Sequence, residues 1–170
     1  LMHSVEQHYP EANRVVALCD KADDFDYSRD NFEIFNLDRL DNIPSFEKFL
    51  FRYTILELNT AIKPYVIEKL FDLGYEKVIY IDPDIKIYSS LIPMVNLLNN
   101  KEILLTPHLT GELDDKALPT ELDILRSGTY NLGYIGLRDS QSTRSLIKWW
   151  QGKLYKDCVV DLERGLFVDQ

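Results

Sequence analysis

The sequence predicts an α/β fold, a three-layer α/β/α sandwich around a mostly parallel central sheet. Three observations carry that expectation. Short apolar, β-branched runs alternate with helix-length segments along the whole chain. One of those runs, residues 78–81, is apolar on both faces, as a central strand covered by helices would be. No repeat, low-complexity segment or linker interrupts the alternation.

Taken in order, residues 1–9 read as the end of a helix stopped by Pro10. Residues 14–19 are a short buried strand, followed by an acidic loop over residues 20–26. Residues 32–37 alternate like a strand. Ser45 caps a helix running to about Leu56, with Glu47 in its first turn. Asn59 or Thr60 caps the next, where Ile62, Val66, Leu70 and Leu73 recur every three or four residues and Gly74 closes the helix. Pro64 falls near its first turn, where a missing N–H costs least. After the strand at 78–81 comes a second extended piece at 85–88, a short helix at 93–99 and a strand at 102–106. An acidic loop at 112–116 precedes a helix at 120–127 ended by Gly128, then a strand at 130–138. Residues 142–155 form an amphipathic helix. Leu146, Trp149, Trp150 and Leu154 lie on or near one of its faces, which makes both tryptophans core rather than sugar-stacking platforms.

At 170 residues the chain is one domain, residues 1–170. Hydrophobic residues at 45% and charged residues at 28% exclude a disordered or collagen-like chain. The net charge of −9 argues against a nucleic-acid partner, because a phosphate backbone would be repelled. Cys19 and Cys158 match no metal or redox spacing and read as two reduced, partly buried thiols. No run reaches the length of a membrane span, and the first ten residues lack the pattern of a signal peptide, so the expected location is cytoplasmic. A start at Leu1 rather than Met, and an apolar end at Leu166-Phe167-Val168, read as a piece of a longer protein.

The sharpest chemical signal is Tyr80-Ile81-Asp82-Pro83-Asp84, directly after an apolar strand. Open α/β sheets bind ligands at the carboxyl ends of their strands. In extended chain, residues two apart share a face, so Asp82 and Asp84 would lie about 6–7 Å apart and point together. Two such carboxylates repel unless a cation sits near them, and Mg²⁺ or Mn²⁺ fits that oxygen donor set. A turn with both carboxylates in water is the competing reading. Tyr130-Asn131-Leu132-Gly133 sets an amide, which both donates and accepts, beside glycines that permit close backbone approach. Asn131 and Gly133 are therefore candidates for contact with a hydroxyl-rich ligand such as a sugar, against an ordinary loop asparagine. His108, after the strand at 102–106, is a candidate for the acceptor side, against a solvated loop histidine. Lys63 offers a positive charge to a diphosphate, against a lysine on a wet helix face.

Four blocks in this order resemble one family. They are Tyr53…Glu57-Leu58-Asn59-Thr60-Ala61-Ile62-Lys63-Pro64, Lys77-Val78-Ile79-Tyr80-Ile81-Asp82-Pro83-Asp84, Tyr130-Asn131-Leu132-Gly133-Tyr134-Ile135-Gly136-Leu137, and Phe167-Val168-Asp169-Gln170. Together they are similar to the bacterial GT-A-fold nucleotide-diphospho-sugar transferases of glycosyltransferase family 8. The resemblance covers most of the chain. It implies a hexosyltransferase-type enzyme using a divalent metal, Mn²⁺ or Mg²⁺, to move a sugar from a UDP-sugar donor with retention at the anomeric carbon. The acceptor would be a polysaccharide, a glycolipid or another glycoconjugate, met in the cytoplasm or at the inner face of the membrane. Asp82 and Asp84 would hold the metal, with Asp82 sharing it or a ribose hydroxyl. Lys63 and Thr60 would lie on the donor, Asn131 and Gly133 at the transferred sugar. Asp169 would bond sugar hydroxyls, and Gln170 would lie near the anomeric carbon. The family's first strand would precede Leu1, and a C-terminal part carrying a further metal-binding His would follow Gln170. Two other functions share the strand-end acidic pair. One is a HAD-like phosphohydrolase with Asp82 as nucleophile and Asp84 as general acid, against which the following Ile85-Lys86 count. The other is a catalytically silent nucleotide-sugar-binding module.

Overall fold

The computed structural model describes residues 1–20, 26, 27, 30–114, 118–161, 163, 164 and 166–168. Residues 21–25 of the first acidic loop, 115 and 116 of the second, and Asp169 and Gln170 lie outside them. The fold is α/β. In chain order it runs α1 (Met2–His8), β1 (Val15–Leu18), β2 (Glu33–Asn36), α2 (Phe46–Arg52), α3 (Ile55–Ala61), α4 (Lys63–Asp72), β3 (Lys77–Ile81), α5 (Ile92–Leu97), β4 (Ile103–Pro107), α6 (Glu121–Ser127), β5 (Tyr130–Arg138), α7 (Gln141–Asp157), β6 (Val160–Asp161) and β7 (Leu166–Phe167).

The sheet differs from the mostly parallel one expected. The three-stranded sheet has the order β3-β5-β4, and β5 is antiparallel to both neighbours. Among the described residues the one parallel pair is β1 with β2. The reason lies in the connections. The crossover through α5 brings β4 back pointing the same way as β3, as the alternation predicted, but leaves a gap one strand wide. β5 fills that gap running the other way. Residues 85–88, expected as extended, form no strand; the Ile87 N–H donates to the Ser4 hydroxyl of α1 at 3.0 Å.

The expected helix from Ser45 to Leu56 is two helices. Thr54 accepts from the Glu57 N–H while the Glu57 carboxylate takes the Thr54 N–H, a reciprocal cap that starts α3 and ends α2 before it. Ser45 stands at the N-cap of α2 in a left-handed conformation, and its side chain makes no capping bond. Ile62, not Asn59 or Thr60, precedes α4, and Pro64 sits in the first turn. Gly74 ends that helix with a φ of 95°, which a side chain would strain.

The core gathers α4 and α7 against β3 and β5, with Phe49, Ile67, Leu137, Ile147 and Leu154 fully buried. Thr143, Ile147, Trp150, Gln151 and Leu154 form the inner stripe of α7. Trp149 is not part of it and is 58% exposed, because successive helical residues turn by about 100° and only one of the two tryptophans can face inward. Both cysteines are free, Cys158 buried and Cys19 partly so. Among the described residues, no helix is long and apolar enough to cross a membrane.

Candidate functional site

The carboxyl ends of β3 and β4 and the amino end of β5 share one edge of the three-stranded sheet. β3 and α4 form an antiparallel pair joined by residues 73–76, so the first turn of α4, with Lys63, returns to that same edge. This topology assembles Lys63, Asp82, Asn131 and Gly133 from segments far apart in sequence.

Asp82 continues the pairing of β3, its N–H donating to the Gly133 carbonyl at 2.8 Å. Beyond it the chain turns rather than extends. The Ile85 N–H donates to the Asp82 carbonyl at 3.1 Å, with Pro83 and the exposed Asp84 at the corner. Pro83 favours this corner by fixing its own φ. The relation of Asp84 to Asp82 is therefore set by a turn and not by strand alternation.

Strand alternation does hold one step earlier. Tyr80 and Asp82 are two apart on the face of β3 that α4 covers, and the Tyr80 hydroxyl donates to Asp82 Oδ1. Lys63 Nζ stands 3.5 Å from the same oxygen and 4.8 Å from the centre of the Tyr80 ring. The lysine is only 6% exposed, which excludes the wet helix face. A buried ammonium is costly unless paired, and here a carboxylate and an aromatic face receive it. Asp82 itself keeps 34% exposure, so one side of its carboxylate meets solvent.

Gly133 supplies the opposite wall. Between Leu105 and Thr106 the β4–β5 register jumps, Leu105 pairing with Ile135 and Thr106 with Asn131, so that residues 132–134 bulge out of the ladder. Asn131 Oδ1 accepts the Gly133 N–H at 2.8 Å and stabilises the bulge from inside. A Cβ on Gly133 would stand 2.9 Å from Asn131 Oδ1 and 3.1 Å from Asp82 Oδ2. Glycine is thus the residue that leaves room between the amide and the carboxylate.

The other expected residues are more dispersed. Thr60 is buried, and its hydroxyl donates to the Leu56 carbonyl at 3.4 Å within α3. His108 is exposed at the end of β4, where its Nδ1 lies 2.8 Å from the Gly128 carbonyl and its N–H donates to Thr129 at 3.0 Å; it ties β4 to the start of β5. Tyr80 was given no role from the sequence. Its signal was available, since the two-residue spacing that linked Asp82 to Asp84 applies equally between Tyr80 and Asp82.

As a place for a divalent cation, this edge offers Asp82 Oδ2, which accepts no hydrogen bond among the described residues, and the exposed Asp84. Both are hard carboxylate oxygens, the donor type Mg²⁺ and Mn²⁺ take, with coordination left for water and phosphate. Lys63 leaves the trio with a net charge of −1, enough to attract a dication without the full repulsion of two bare carboxylates. Among the described residues, no group of three or more His, Cys, Asp or Glu side chains converges on one point. Two open surface depressions lie elsewhere. One is lined by Gln141, Arg144, Ser145 and Lys148, the other by residues around Lys77 and Arg138 at the far end of the sheet. Arg144 in the first is committed to Asp139 and Asp72. No family model, curated protein or solved structure matches the chain.

Proposed function

We propose that the protein is a metal-dependent glycosyltransferase of GT-A type, moving a hexose from a nucleotide-diphosphate donor such as a UDP-sugar to a glycan or glycolipid acceptor. It would work in the cytoplasm or at the inner face of the membrane. The observation that carries this reading is the meeting, at one sheet edge, of three of the four sequence blocks that resemble family 8: Lys63, the Asp82–Asp84 turn and the Asn131–Gly133 bulge.

The reaction breaks the bond between the anomeric carbon and a phosphate oxygen, and negative charge grows on that oxygen as it leaves. A divalent cation held by Asp82 and Asp84 would supply the electrostatic stabilisation of that charge. Lys63, 3.5 Å from Asp82 Oδ1, orients that carboxylate before a donor arrives and brings positive charge to the diphosphate side. Glycine at 133 lets the Asn131 amide and the Asp82 carboxylate stand close together, and the Asn131 amide offers a donor and an acceptor to the hydroxyls of a sugar. Thr60, its hydroxyl bonded within α3, is assigned to the donor side on the resemblance alone, and His108 would lie on the acceptor side. Asp169 and Gln170, assigned on the resemblance alone, complete the donor-sugar contacts.

The test is incubation with a panel of nucleotide sugars and Mn²⁺, read as nucleoside diphosphate released. Release that depends on both metal and one particular nucleotide sugar, and is lost in Asp84→Ala at unchanged melting temperature, supports the reading. Turnover of a phosphomonoester with no nucleotide sugar would identify a phosphohydrolase instead. Absence of both release and binding across the panel overturns the proposal.

A further inference from the structure

Resting on that reading, we infer that Tyr80 and Lys63 make Asp82 a one-oxygen ligand, and that this sets which divalent cation the site accepts. The two oxygens of Asp82 live in different surroundings. Oδ1 receives the Tyr80 hydroxyl and faces the Lys63 ammonium at 3.5 Å. Oδ2 accepts no hydrogen bond among the described residues and lies against Gly133, where a Cβ would stand 3.1 Å away.

A cation chelated by both oxygens would sit between them, displacing the Tyr80 proton donor and coming close to a buried positive charge. Bound through Oδ2 alone, it stays on the far side of the carboxylate from Lys63 and leaves the Tyr80 bond intact. Small ions with octahedral demands accept single carboxylate oxygens and fill the rest with water and phosphate. Ca²⁺ wants about six to eight oxygens and gains them from two-oxygen carboxylates. A locked Asp82 thus favours Mg²⁺ or Mn²⁺ over Ca²⁺. Tyr80 acts through Asp82 as a positioning residue.

The experiment is titration of the protein with MnCl₂, read by the electron paramagnetic resonance of the free ion, and with CaCl₂ by competition. Wild type, Tyr80→Phe, Gly133→Ala and Asp84→Ala are compared, with circular dichroism as the folding control. Tyr80→Phe frees Oδ1, so Mn²⁺ binding should weaken about tenfold, the scale of one hydrogen bond to a charged group. Ca²⁺ should hold or improve, shifting the ratio of the two affinities. A purely structural role for Tyr80 weakens both ions equally, and an unchanged ratio overturns the inference while leaving the metal site standing. Gly133→Ala places a methyl beside Oδ2 and stays informative if Tyr80→Phe fails to fold. It should weaken Mn²⁺ by about tenfold or more, the price of blocking a direct ligand, and unaltered Mn²⁺ affinity overturns the inference. Absence of any Mn²⁺ binding by wild type, or binding indifferent to Asp84→Ala, removes the metal reading itself and the inference with it.

Discussion

Glu68 on α4 is 6% exposed and binds three donors from two other segments. Its Oε2 accepts from Gln151 at 2.8 Å and Asn42 at 2.9 Å, and its Oε1 pairs with Lys148 at 2.8 Å. Burial works against its charge, but the Gln151, Lys148 and Asn42 donors outweigh it, and the carboxyl is held below its ordinary range. Glu68→Gln keeps the shape and removes the charge, so it imitates the protonated state. The two amide bonds fall from charged to neutral strength, a loss of about 1 kcal/mol each. Lys148, 63% exposed, turns to water at little cost. The expected destabilisation is therefore about 2 kcal/mol at pH 7. A carboxyl whose folded pKa is depressed contributes its stability above the unfolded value, and loses it as pH falls through the folded one. The gap between wild type and variant should then close below the ordinary 4.5 of a glutamate. Parallel urea unfolding at pH 7 and pH 3.5 measures it. A gap under about 0.5 kcal/mol at pH 7, or one equal at both pH values, would refute the reasoning.

Two further outcomes are expected. Phe49 is fully buried, with its ring centre 5.3 Å from that of Tyr53, 5.6 Å from Tyr65 and 5.9 Å from Tyr155. Phe49→Ala should cost about 3–5 kcal/mol in chemical denaturation, since three rings cannot collapse into the void. Burial pushes the Cys19 thiol up to about 12, so at pH 8 it stays protonated and should react with a disulfide reagent only after the protein unfolds.

Much of the fold was legible because local periodicity encodes it. Ile62, Val66 and Leu70, closed by Gly74, mark α4 within a few residues, and the apolar run at Val78 marks β3. Strand direction was not legible: nothing in Tyr130–Arg138 says which way it runs beside its neighbours, because pairing is decided by crossovers and not by side-chain alternation. The break between α2 and α3 was written in Thr54 and Glu57, whose spacing is a cap signature, but the apolar run at Phe49, Leu50 and Phe51 masks it. At the candidate site, residue identities were readable, whereas their geometry depended on a turn and a bulge. Pro83 redirects Asp84, and Asn131 folds its amide back onto Gly133. Only distant elements coming together could reveal that Lys63 and Tyr80 share one oxygen of Asp82.

The placement of β5 has a consequence for biosynthesis. β3 and β4 emerge from the ribosome first, yet they cannot join each other, since the lane between them belongs to a segment about thirty residues further along. Until Tyr130–Arg138 is translated, both leave backbone donors and acceptors open to partners from other nascent chains. A ribosome stalled before that stretch would release a product prone to clumping, while one stalled just after it would release a chain whose sheet can close.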